Sequence, residues 1–151
     1  MSKFLVNTLQ MQGNHLERVY EFVRNGQHQL DFDRILPIPS DCKDKPAWVR
    51  SHWGTQFGGA FQVERIARNV YHFRTYGKAV PVIAELARRF PDVRFRHQWS
   101  EELPGWNSGV IVYERGAEIH RSKSEWVDEL LWYEEDYLSS LTQDKPVAVA
   151  L

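Results

Sequence analysis

The chain has a single cysteine, Cys42. That excludes an internal disulfide and a cysteine-based zinc cluster, and it fits a reducing compartment. No apolar run approaches the length of a membrane span, and no charged start leads into an apolar stretch. The expectation is a cytoplasmic protein with no membrane partner. Repeats and low-complexity segments are absent, and net charge is nearly absent too, at −1. The short signatures of catalysis are missing: there is no Gly-Lys-Ser/Thr phosphate loop, no His-Glu-x-x-His and no nucleophile elbow. The glycine-rich stretch 54–59 lacks both a lysine and the strand-before, helix-after context of a phosphate loop. The six histidines, His15, His28, His52, His72, His97 and His120, show no metal-ligand spacing. The reading is a protein that is not an enzyme and has no cofactor and no metal.

What is present is a core and a divided charge. A length of 151 residues suits one domain with enough chain to bury a real interior, and aromatic residues make up 13%, including six tryptophans. Residues 1–100 carry 15 Lys/Arg against 9 Asp/Glu, and residues 101–151 carry 4 against 11, which is +6 followed by −7. Segregation of this kind concerns partners rather than fold.

Punctuation and periodicity divide the chain. Residues 3–11 alternate, with apolar side chains on both faces, and read as a central strand. Gly13-Asn14 breaks it, and Asn14 is placed to cap a helix over 15–25 with Leu16, Val19, Tyr20 and Val23 on one stripe. Residues 30–38 read as a short extended segment entering a polar loop from Pro39 to Pro46. Residues 61–68 and 70–76 form a hairpin around Asn69. A second helix starts at Val80-Pro81, where proline is tolerated, and ends before Pro91. Residues 93–99 alternate cleanly, with Val93, Phe95, His97 and Trp99 against Arg94, Arg96 and Gln98. On that apolar face His97 reads as a hydrogen-bonded core residue. A further strand follows at 109–115, then a helix over 124–138. The order is that of an α+β, ferredoxin-like split βαβ arrangement: an antiparallel sheet with two helices on one face, an added C-terminal strand and an acidic C-terminal helix. Its core covers about 3–116 of a single domain.

The segment Trp48-Val-Arg-Ser-His-Trp-Gly-Thr55 reads as a turn of helix stopped by Gly54. Its tryptophans lie about 140° apart at helical spacing, so one faces the core and the other roofs a groove or loop. A structural plug pinning the loop is weighed against a ligand-contacting site, with the plug favoured.

With Asn7-Thr-Leu, Phe32-Asp-Arg-Ile-Leu-Pro-Ile-Pro39, Trp48, Trp53-Gly54-Thr55, the helix ending at Phe90-Pro91 and the approach to Gly109, the chain resembles the YubB-like proteins of phages and conjugative plasmids. The resemblance covers roughly 3–116, and the paired prolines with the Trp-Gly-Thr turn are its most specific parts. It departs from the family pattern at Gln56-Phe57 and at Tyr76-Gly-Lys-Ala79. The resemblance implies a ferredoxin-like fold and a mobile-element origin, and it brings no catalytic residues.

Two surfaces could carry a partner. On the sheet, His72, Arg74, Arg94, Arg96 and Gln98 share the face away from the helices and could neutralise phosphates. The aromatic pair with which RNA-recognition sheets stack bases is missing from the pattern, and Phe57-Gly-Gly-Ala-Phe61 only superficially resembles that motif. In the last helix, Glu125, Asp128, Glu129, Glu134, Glu135 and Asp136 accompany Trp126, Trp132, Tyr133 and Tyr137. Aromatics anchor protein interfaces, and arrayed carboxylates can imitate a phosphate backbone. The favoured expectation is a binding protein of a mobile element that contacts or inhibits a host protein complex, such as a defence or nucleic-acid-handling system, through the acidic aromatic surface. Direct nucleic-acid binding by the basic face is the alternative. An oligomer is compatible with either.

Overall fold

Ten elements follow one another along the chain in the computed structural model, which describes residues 4–102 and 107–123. They are β1 (Leu5–Gln12), α1 (Glu17–Val23), α2 (Phe32–Ile35), α3 (Lys45–His52), β2 (Phe61–Ala67), β3 (Val70–Thr75), α4 (Val80–Arg89), β4 (Arg94–Ser100), β5 (Gly109–Glu114) and β6 (Ala117–Ser122). The strands form one antiparallel sheet in the order β2-β3-β1-β4-β5-β6. Its first four strands, with α1 and α4 as crossovers, are the ferredoxin-like core, so the expected fold class is the one observed.

Register sorts the sheet into two faces, because cross-strand partners point the same way. Asn7 lies between Phe73 and Trp99, Leu9 between Tyr71 and His97, and Met11 beside Phe95. These residues face the helices, and the apolar ones join Leu16, Val19 and Val23 of the α1 segment and Val82, Ile83 and Leu86 of α4 in a single buried cluster. Tyr20 meets Tyr71 edge to face at 6.1 Å.

Several local expectations need correction. Asn14 does not cap α1. The helix begins at Glu17 with Leu16 at the cap position and no side-chain cap bond. Gly13 (φ 147°) and His15 (φ 62°) take positive φ, and Leu16 is buried, so burial rather than capping sets the start. Residues 32–35 are one turn of helix, not extended chain. Asp31 caps it by accepting a hydrogen bond from the Asp33 amide at 3.0 Å, while Phe32 and Ile35, three residues apart, both enter the core. Pro46 lies in the first turn of α3, where its missing N–H costs nothing, rather than closing a loop. Finally, β6 lies where the pattern predicts no strand. Arg115 (φ 55°) and Gly116 (φ 81°) are both left-handed, the geometry of a tight hairpin turn, and they return the chain along β5. The expected helix at 124–138 lies outside the described residues.

Candidate functional site

The face of the sheet away from α1 and α4 is built strand by strand from alternate residues. β2 supplies Phe61 and Glu64, and β3 supplies Val70, His72 and Arg74. Register then sets Val6, Thr8, Gln10 and Gln12 of β1 beside Arg94, Arg96, Gln98 and Ser100 of β4. Val110 and Val112 of β5 and His120 and Ser122 of β6 complete the row. The five residues expected to share a basic face, His72, Arg74, Arg94, Arg96 and Gln98, do share it.

They are not equally available. Arg96 is only 3% exposed, and its guanidinium donates to Gln98 Oε1 at 2.9 Å. Gln10, Val70, Val110 and Val112 are buried around it. Arg94 donates to Gln12 Oε1 at 2.9 Å. His72 and Arg74 are half-buried. Burial lowers the His72 pKa, and Glu64 across the strand pair opposes that shift.

One corner of this face is aromatic. The Phe4 ring meets Phe61 edge to face at 6.1 Å, Phe61 stacks on Tyr76 at 4.9 Å and 20°, and Phe57 meets Tyr76 edge to face at 5.6 Å. Arg74 lies over Phe4 at 4.7 Å, and Phe57 is 57% exposed. The pattern concealed this cluster because its rings come from the residue before β1, from β2 and from the loops either side of the β2–β3 hairpin. Its only local signal was the departure at Gln56-Phe57 and Tyr76.

Beside the corner, the Trp-Gly-Thr turn does two jobs. Trp53 is buried; its indole N–H donates to the Leu36 carbonyl at 2.9 Å, and its ring meets Phe32 edge to face. Trp48 is half-buried, edge-on to Trp53 and stacked with His52 at 4.3 Å. Trp53 thus packs in the core, and Trp48 lies against it as a roof with part of its ring exposed. Gly54 (φ 77°) ends the helix, and the Thr55 hydroxyl donates to the Gly58 carbonyl at 2.7 Å. The Gln56 amide donates to the Tyr76 carbonyl at 2.6 Å, which clasps this loop to the end of β3. Any side chain on Gly77 would collide with the Gly54 carbonyl. Between the clasped segments opens a cleft of about 370 Å³ that Arg50, Thr55, Tyr76, Gly77 and Lys78 help to line.

The core also contains polar chemistry. His97 is fully buried, with Nε2 at 2.9 Å from Asn7 Oδ1. The Asn7 amide group donates to the Thr75 hydroxyl at 2.9 Å and to the Phe73 carbonyl at 3.3 Å. Since the amide nitrogen is the donor, Asn7 Oδ1 is left to accept, so His97 Nε2 carries the proton. Burial pushes the His97 pKa down to about 3. The residue is a hydrogen-bonded core histidine, as its place on the apolar face of the strand suggested, with Nε2 bonded and Nδ1 buried without a hydrogen-bond partner. Among the described residues, no group of histidine, cysteine and carboxylate side chains is arranged to hold a metal. The described helices include none long and apolar enough to cross a membrane.

The acidic aromatic set, Glu125, Trp126, Asp128, Glu129, Trp132, Tyr133, Glu134, Glu135 and Asp136, lies outside the described residues.

The fold can be compared with known proteins. The model of the family described as "Ferredoxin-like domain in Api92-like protein" matches residues 60–141. The chain belongs to that family. Among solved structures it is similar to the protein Api92 from Yersinia pseudotuberculosis, with 16% identity and a TM-score of 0.47 over 62% of this chain. The match spans 39% of the Api92 chain, about two fifths of its length. No curated protein matches.

Proposed function

We propose that this member of the Api92-like family is a non-enzymatic binding protein that contacts a host protein complex through its acidic aromatic segment, residues 125–136. The observation that carries the reading is the state of the basic row. Arg96 is buried and held by Gln98, and Arg94 is held by Gln12. The centre of the sheet face is thus not a bare cationic surface of the kind that neutralises phosphates. The acidic surplus after residue 100 is the other half of the charge asymmetry, and it comes with large aromatics suited to anchoring an interface. A mobile-element origin, and a site of action in the cytoplasm of a bacterial host, follow from the YubB-like resemblance and belong to this proposal.

The test compares the full chain with a variant in which Glu125, Asp128, Glu129, Glu134, Glu135 and Asp136 carry the corresponding amides, each used to capture partners from host extract. A host complex retained by the first and lost by the second supports the reading. Equal retention by both sinks it. The second reading, nucleic-acid binding by the open face, is supported by the common register of His72, Arg74, Arg94, Arg96 and Gln98. It requires Arg74→Ala to weaken binding to duplex or single-stranded probes.

A further inference from the structure

We infer that the cleft between the Trp-Gly-Thr turn and the end of β3 is a nucleotide subsite, taking an aromatic base together with its phosphate. This goes beyond the partner reading and uses different residues.

Three independent features converge there. The first is size: about 370 Å³ is within the range of small-ligand clefts and suits one nucleotide unit. The second is charge. Arg50, in the last turn of α3, and Lys78, ahead of α4, both line the cleft and both are exposed. Among the described residues neither makes an ion pair. Lys78 has only the Trp99 ring beneath it, at 5.7 Å. The third is stacking surface. Tyr76 lines the cleft, is backed by Phe61 at 4.9 Å and is flanked by the exposed Phe57. Base-on-aromatic stacking tolerates any base, because every base has a π face.

The backbone of the cleft wall is closely packed against its own neighbours. Gly54 and Gly77 both sit at positive φ on the wall, and neither has room for a side chain without a shift in its neighbours. Glu101 lines the same cleft. Two cations beside a stacking ring suit a ligand that carries a phosphate next to an aromatic base. A nucleotide meets that description, whether free or within a single strand.

The experiment is a salt titration of the full chain against a short labelled single-stranded oligonucleotide, read by fluorescence anisotropy. Adenosine monophosphate and inorganic phosphate serve as competitors at matched ionic strength. Tyr76→Leu removes the stacking ring, the double variant Arg50→Ala with Lys78→Ala removes the two exposed cations, and circular dichroism checks that each retains the wild-type fold. Tyr76→Leu is expected to weaken binding roughly tenfold. The double variant should reduce the steepness of the log affinity against log salt plot by about 0.7, the contribution of one single-strand phosphate. Competition by adenosine monophosphate, and not by phosphate, identifies a free nucleotide as sufficient. An oligonucleotide that binds without such competition identifies a strand as the ligand. The inference is overturned if neither probe binds at low salt, or if binding is the same in both variants as in the wild type. It is equally overturned if inorganic phosphate competes as well as the nucleotide.

Discussion

His97 shows what a single buried titratable residue does to a small domain. It stacks against Phe73 at 6.4 Å and leans on Trp99 at 5.2 Å. Its one polar partner is Asn7, a neutral group. The imidazole protonates near 6.5 in the unfolded chain and only near about 3 in the fold. Between those values the unfolded state binds more protons. Stability is therefore fully present above pH 6.5 and falls as pH drops toward 3, at up to about 1.4 kcal/mol per pH unit. His97→Leu should flatten that slope. The comparison is the urea midpoint of wild type and variant between pH 6.5 and 5, above the range in which ordinary carboxylates titrate. An unchanged slope would assign the titration to another group. The variant's absolute stability should also be lower, because Asn7 Oδ1 loses its donor, a loss worth about 1–3 kcal/mol. His97's place on an apolar face was legible in the alternation of 93–99. Its partner was not, since Asn7 lies 90 residues away in the chain.

Elements were legible in proportion to their length. α4 has ten residues, an apolar stripe and a proline in its first turn, and it lies where the spacing predicts. β4 has seven alternating residues and is displaced by one. α2 has four, which is too few to distinguish a period of two from a period of three and a half, so burial of Phe32 and Ile35 together decides its conformation. β6 is not legible because its residues, Ala117 to Ser122, show little apolar alternation, and it is held by hydrogen bonds to β5 at the sheet edge. α3 depends on its start. The Asp44 side chain accepts from the Ala47 amide at 3.1 Å and satisfies one of the free donors of the first turn. Asp44→Ala should cost about 1 kcal/mol, which for a domain of this size lowers the melting temperature by roughly 2–4 °C. If calorimetry shows no change, packing of Val49 and Trp53 alone holds this helix.

At the scale of the molecule the sheet has a stable middle and two edges. β1 is hydrogen-bonded on both sides, to β3 and β4, and its inward residues Leu9 and Met11 are fully buried. β2 carries two register shifts and exposes Ile66, and β6 has five exposed residues out of six. Native-state hydrogen exchange should therefore be slowest in β1, β3 and β4 and fastest in β2 and β6. Protection of β2 amides equal to that of β1 would contradict this strand order.

By itself the sequence determined the longer elements and their order, though neither the single turn α2 nor the edge strand β6. It also determined the face of each strand that enters the core, because these depend on periodicity among residues close together in the chain and on where proline and glycine interrupt it. Tertiary structure alone decided which rows lie side by side. Phe4, Phe61 and Tyr76 became one aromatic corner, and Arg50, Tyr76 and Lys78 came to share a cleft. The physical reason is that these neighbours are chosen by ladder closure between distant strands, as where β1 pairs with β3 and sets Asn7 opposite Phe73. No local pattern encodes such a contact.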